Sequence, residues 1–180
     1  MSRYAAFLRG MNVGGHRLSN EELRSHFTAI GFEDVACFRA SGNVVFAGKA
    51  AKPEAVRARI ERGLEKLLGY AVPTFVRSSD EVLEIAASEP FTDAQVSASK
   101  GKLQVAMLFE KPAAKARKEL LALASEADRL ALEGRELYWL PSGGVLETGL
   151  DMKRIERLLG PMTMRTKGTV EQLAAKHFAQ

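Results

Sequence analysis

The sequence of 180 residues contains one cysteine, Cys37, so no intramolecular disulfide can form. Long apolar runs are also missing: none approaches the roughly 20 residues that span a bilayer. Met1-Ser2-Arg3 leads into a short strand-like run, without the apolar stretch and cleavage site of a secretion signal. These features together give the expectation of a cytoplasmic protein with no membrane association. Histidine is scarce, and His16, His26 and His177 have no metal-ligand spacing with carboxylates or with Cys37, so neither a metal nor a cofactor is expected. Aromatics make up 7% of the chain. The expected third strand, Asn43-Val44-Val45-Phe46, lacks the ring pattern by which RNA-recognition modules stack bases. A strong excess of one charge is absent too. The net charge is +4, from 26 Lys and Arg against 22 Asp and Glu. Arg57, Arg59, Arg62 and Lys66 are interleaved with Glu54, Glu61 and Glu65, the pattern of a solvated helix face.

What is present is a regular succession of short elements. Tyr4–Arg9 is an apolar run bounded by glycine and reads as a strand. Ser19-Asn20-Glu21-Glu22 is a helix start, Leu23, Phe27 and Ile30 form its apolar side, and Gly31 ends it. Val35–Arg39 and Asn43–Ala47 read as a hairpin. Pro53 opens a second helix with a buried stripe of Val56, Ile60, Leu64, Leu67 and Leu68. Val72–Arg77 is a fourth strand, and Pro73 marks it as a sheet edge. The order is βαββαβ.

A helix over 80–87 and a loose stretch over 89–101 follow. The order then recurs: strand 103–109, helix 112–125, strands 129–133 and 136–140, helix 151–159, a short run 162–166 and a terminal helix 169–178. The predicted fold is α+β, with two ferredoxin-like βαββαβ halves built on antiparallel sheets. Residues 1–78 form the first half, 79–101 the connection and 102–180 the second half with its extra helix. Cys37 reads as a small core residue. Tyr138 and Trp139 alternate on one strand, so one is expected in the core and the other exposed.

Two polar, glycine-hinged segments interrupt these strands. One is Arg9-Gly10-Met11-Asn12-Val13-Gly14-Gly15-His16, and the other is Arg39-Ala40-Ser41-Gly42-Asn43. In a ferredoxin-like sheet the third strand lies beside the first, so the two segments should meet at one edge. Glycines there allow positive φ, and turns of that kind aim N–H groups at anions. Arg9 and Arg39 supply planar donors suited to phosphate or carboxylate. The glycines match neither a P-loop nor a GxGxxG fingerprint.

The segments Phe7–Gly15 and Ser41–Phe46, with Thr163-Met164-Arg165 and Thr169-Val170, closely resemble the bacterial family called domain of unknown function 1697. The resemblance covers nearly the whole chain. It implies a protein of two ferredoxin-like halves with no established biochemical role. The family motif usually continues from its C-terminal Arg with Asn-Trp-Asn, where this chain has Thr166-Lys167-Gly168.

The candidate ligand-binding residues are therefore Arg9, Asn12, Gly14, Gly15, His16, Arg39, Ser41, Gly42 and Asn43, with Arg165 and Thr169 as a second contribution. The leading function is a binding module for a small anionic ligand or for nucleic-acid phosphates. One alternative is an enzyme acting at a phosphate or acyl centre, with His16 as base. The other is a structural or protein-interaction role, in which the polar side chains only cement the two loops.

Overall fold

The computed structural model describes every residue except Val13, Ala40, Ser41 and Gln180. Strand β1, Ser2–Leu8, carries Tyr4, Ala6 and Leu8 on one face and Ala5 and Phe7 on the other, all buried. An apolar run without polar alternation is what a strand covered on both faces requires.

Helix α1, Asn20–Ile30, begins with a reciprocal cap. The Ser19 hydroxyl accepts from the Glu22 N–H at 3.1 Å, and the Glu22 carboxylate accepts from the Ser19 N–H at 2.8 Å. Gly31 stops the helix at φ 98°, a conformation costly for any residue with a Cβ. Strands β2, Glu33–Cys37, and β3, Asn43–Gly48, form the hairpin. Helix α2, Pro53–Leu68, has Pro53 in its first turn and ends at Gly69. Strand β4, Thr74–Ser78, completes an antiparallel sheet in the order β2-β3-β1-β4. β4 is thus an edge, as Pro73 predicts. It starts after Pro73 rather than at Val72, because proline has no N–H for the ladder.

Helices α1 and α2 pack on the Tyr4, Ala6 and Leu8 face through Leu23, Phe27, Val56, Ile60 and Leu64. Phe46 is the centre of this core. Its ring centroid lies 4.5 Å from Phe32, 5.4 Å from Phe27 and 5.7 Å from Tyr4. Leu67, expected in the stripe, is 47% exposed. It lies beside the stripe near the helix end, where Leu68 packs instead.

Helix α3, Ser79–Ala87, is capped by Ser78, whose hydroxyl accepts from the Glu81 N–H. The stretch expected to be loose holds a further helix, α4, Asp93–Ala98, started by a Thr92–Gln95 capping box. The second half then runs β5, Gln104–Leu108; α5, Ala114–Leu121; β6, Asp128–Glu133; and β7, Glu136–Pro141. A single 3-10 turn, Val145–Glu147, precedes α6, Met152–Leu159, strand β8, Met162–Thr166, and α7, Lys167–His177.

The sheet order β6-β7-β5-β8 is again antiparallel and repeats the first half position for position. Leu8 N–H donates to the Gly42 carbonyl at 2.9 Å, and Leu108 N–H donates to the Arg135 carbonyl at 2.9 Å. The protein is therefore α+β, with two ferredoxin-like halves. Its contacts group it into two compact units, residues 1–84 with 173–180 and residues 85–172.

Tyr138 and Trp139 do point to opposite faces, but both are buried, each 1% exposed. The exposed ring expected there is absent because both faces of β7 are covered. Trp139 faces α5 and α6, and its indole N–H donates to the buried Asp128 carboxylate at 2.8 Å. The same oxygen accepts from the Thr148 hydroxyl at 2.9 Å, which ties the 142–150 loop to the sheet. Asp128→Asn keeps an acceptor but loses the charge. It is expected to cost about 1 kcal/mol in urea denaturation of the full chain. No helix among the described residues is long and apolar enough to cross a membrane.

Candidate functional site

Three connections of the first unit converge where β1 ends. The long loop 9–19 leaves β1, the turn 38–42 joins β2 to β3, and residues 69–73 lead into β4. The register forces the meeting: Phe7 pairs with Asn43 on one side, and Leu8 pairs with Thr74 on the other. Arg9 N–H then donates to the Pro73 carbonyl at 3.0 Å, so the loop starts tied to the third connection.

The hairpin turn is closed by two hydrogen bonds. Phe38 N–H donates to the Asn43 carbonyl at 2.8 Å, and the Asn43 side-chain amide donates to the Phe38 carbonyl at 3.0 Å. Asn43 is fully buried, so its side chain holds the turn and presents nothing to solvent. Gly42 has φ 71°, and a Cβ there would stand 3.1 Å from Met11 Sδ and 3.2 Å from Leu8 Cβ. Glycine is thus required both by the backbone and by the close approach of the two loops. Asn20, first residue of α1, donates to the Arg39 carbonyl at 3.0 Å, a link between helix start and turn. Arg39 itself sits at φ 59°, an uncommon conformation for a side-chain-bearing residue.

The loop 9–19 has its own brace. The Asn12 carboxamide oxygen accepts from Leu18 N–H at 2.9 Å, folding the glycine-rich stretch back on itself. Gly10, Gly14 and Gly15 have φ of 67°, 68° and 84°. At Gly14 and Gly15 nothing lies within 4 Å of an added Cβ, so these glycines serve backbone shape and face open space. His16 is exposed and stacks on Tyr70, with ring centroids 3.9 Å apart and planes inclined by 22°.

Beside the loop is a cleft of 650 Å³ lined by Asn12, Arg17, Leu18, Ser19, Asn20 and Glu22. The Ser19 backbone N–H, reinforced by its hydroxyl, holds the Glu22 carboxyl below its ordinary value, so this acid remains an ionised cap. Burial pushes the Cys37 thiol up, and its Sγ lies 3.3 Å from the Asn20 carbonyl, on the core margin. It is thus a protonated packing residue. No cluster of three His, Cys, Asp or Glu side chains suited to a metal occurs among the described residues.

Of the residues expected at the site, Arg9, Asn12, Gly14, Gly15, His16, Arg39 and Gly42 belong to these converging connections, and Asn43, the first residue of β3, closes one of them. Ser41 lies outside the described residues. Arg165 and Thr169 belong to the other unit. Burial pulls the Arg165 guanidinium down to about 10, still fully charged near neutrality, and it donates to Thr163 Oγ1 at 2.8 Å and the Met164 carbonyl at 2.9 Å. Thr169 shares a 2.7 Å hydroxyl hydrogen bond with Thr166 at the start of α7. Sequence reasoning missed Arg17, Asn20 and Tyr70. The signal for Tyr70 was its place in the connection before β4, the other neighbour of β1.

Cationic side chains flank the turn. Lys176 Nζ lies 5.9 Å and the Arg39 guanidinium 5.5 Å from the Phe38 ring centroid. Arg3 lies over Phe178 and donates to the His177 carbonyl. Desolvation, then the charges of Lys176 and Arg3, hold the His177 imidazole below its ordinary value. Its neutral form is favoured in the fold, so its contribution to stability is complete above pH 6.5. It is lost as pH falls below that through the depressed folded value. A urea series across that window should show stability falling with pH for the native chain, and a flatter response for His177→Gln.

The comparisons agree with this architecture. No curated protein sequence matches the chain at a significant level. Among solved structures, the conserved bacterial protein SP0830 from Streptococcus pneumoniae is similar, with a TM-score of 0.71. The match covers 98% of each chain at 17% identity, which is a likeness of fold. The model of the family described as protein of unknown function (DUF1697) matches residues 1–138, the whole three-loop edge included, and the chain belongs to that family.

Proposed function

We propose that the three-loop edge binds a small anionic ligand or the phosphates of a nucleic acid. One observation carries the reading: the exposed Arg17 lines an open cleft beside a loop whose glycines hold positive φ, and the Glu22 carboxylate that also lines it is engaged as the cap of α1. Such a loop presents backbone N–H groups in a concave array, and an arginine beside it supplies a fork of donors for phosphate or carboxylate oxygens. Asn12, Asn20, Gly42 and Asn43 brace the described residues of these connections internally, which favours a site formed before any ligand arrives. A preformed site loses less entropy on binding than a mobile one. The lone cysteine fits a reducing compartment, and we assign the protein to the cytoplasm.

Thermal melts of the full chain at low salt, with inorganic phosphate, pyrophosphate and nucleotides, test the reading. Ligand at 100 times its dissociation constant should add about 2.7 kcal/mol of apparent stability. The absence of any shift across the series overturns it. Oligonucleotide binding, if it is the biological role, should weaken steeply with salt, log K falling by about 0.7 per log unit for each phosphate neutralised on a single strand. Titrations at several salt concentrations measure that slope, and a flat response argues against phosphate contacts.

A further inference from the structure

The cleft explains an anion, but it leaves without a role the ring stack of His16, the residue next to its Arg17 in sequence. His16 and Tyr70 lie 3.9 Å apart in near-parallel planes, and the imidazole remains exposed although one face is covered by the tyrosine. Packing alone does not call for a stack at the tip of a polar loop. His16 adds no ring to the hydrophobic core of its unit, whereas Tyr70 packs against that core's margin and so fixes the platform to the fold. The histidine is followed directly by Arg17, which lines the cleft, and preceded by Gly14 and Gly15, which face open space. A flat apolar surface, a guanidinium and an uncluttered backbone thus occur within four consecutive residues.

Resting on the anion-binding reading, we infer that the ligand is a nucleotide unit: its base stacks on the outer face of His16, backed by Tyr70, while its phosphate is held by Arg17 and the glycine-rich loop. Stacking on an aromatic face tolerates every base, so the site reads the presence of a base and not its identity. The unit has two sources, a free nucleotide or one residue of a single strand, and their chemistry at this site is the same.

Isothermal titration of the full chain at low salt with AMP, ribose 5-phosphate, inorganic phosphate and a short single-stranded oligonucleotide tests the inference. AMP should bind about 5- to 150-fold more tightly than ribose 5-phosphate, the range one base–aromatic stack supports. His16→Ala should remove that advantage and leave phosphate affinity intact, and His16→Phe should retain it. Since His16 is exposed, both variants should melt with the native chain, which a thermal scan checks. An oligonucleotide that outbinds AMP assigns the site to nucleic acid, and equal affinity assigns it to free nucleotides; both support the inference. Equal affinities for AMP, ribose 5-phosphate and phosphate overturn it while leaving the anion site standing. Failure of every phosphate compound to bind overturns both. Nucleotide binding that His16→Ala leaves unchanged overturns the stacking assignment.

Discussion

Phe46→Ala is expected to destabilise the protein by about 3–5 kcal/mol, the range for removing a large buried ring from a tightly packed core. The reason is its position on the central strand β3, where it touches rings from β1, α1 and the residue before β2 at once. No single neighbour can collapse into the space without abandoning another contact. Natural domains hold only about 5–15 kcal/mol in reserve, so a substantial share of the margin would go. Urea denaturation, followed by tryptophan fluorescence and by far-UV dichroism, measures the loss. Trp139 belongs to the second half, so the two probes also report whether the halves unfold together. A cost below about 1.5 kcal/mol would show that the ring cluster is not the keystone of its half.

The second large effect separates bracing from binding. Asn43→Ala is expected to cost about 2–3 kcal/mol, because it leaves the Phe38 carbonyl without its side-chain donor at a fully buried position. Arg17→Ala, on the exposed side of the same edge, should leave stability within about 0.5 kcal/mol. The two should reverse in the presence of phosphate. Arg17→Ala should lose the ligand-induced rise in melting temperature, and Asn43→Ala should retain part of it at a lower baseline. Melts of each variant with and without phosphate suffice. A stable Asn43→Ala protein would mean that the turn is held by its main chain alone. An unaltered phosphate response in Arg17→Ala would remove that arginine from the site.

The fold was legible because its signals are local. Ser19, Gly31, Pro53 and Gly69 punctuate the first half, and the continuous short apolar runs of β1 and β3 declare strands without reference to anything distant. α4 escaped notice because a helix of one and a half turns leaves almost no periodicity; only the Thr92–Gln95 capping box announced it. The exposure of Leu67 and the burial of both Tyr138 and Trp139 depend on what covers each surface, which spacing does not encode.

The meeting of the two candidate segments was legible for a topological reason. Any chain running in the order β2-β3-β1-β4 must bring the exit of β1 to the entry of β3, whatever the loops contain. What the sequence concealed was the division of labour. Asn12 and Asn43 look like ligand donors on paper, yet their amides are engaged with Leu18 and Phe38. Arg17 lies one residue beyond the motif, and Tyr70 is remote in sequence, so neither is marked by composition.

The near-identity of the two sheets carries one more consequence. The first half spends residues 9–19 between its first strand and helix, whereas the second closes the same junction with residues 109–113 and the same main-chain hydrogen bond. The short version shows that such a junction can close in a few residues, whereas the long one also sends Met11 and Leu18 into the core of its own half. The extra residues of the first half thus carry both the glycine-rich stretch and two core side chains, so cleft and packing are linked there. Grafting the short link into the first half should remove the cleft and lower stability together, which urea denaturation of the graft measures.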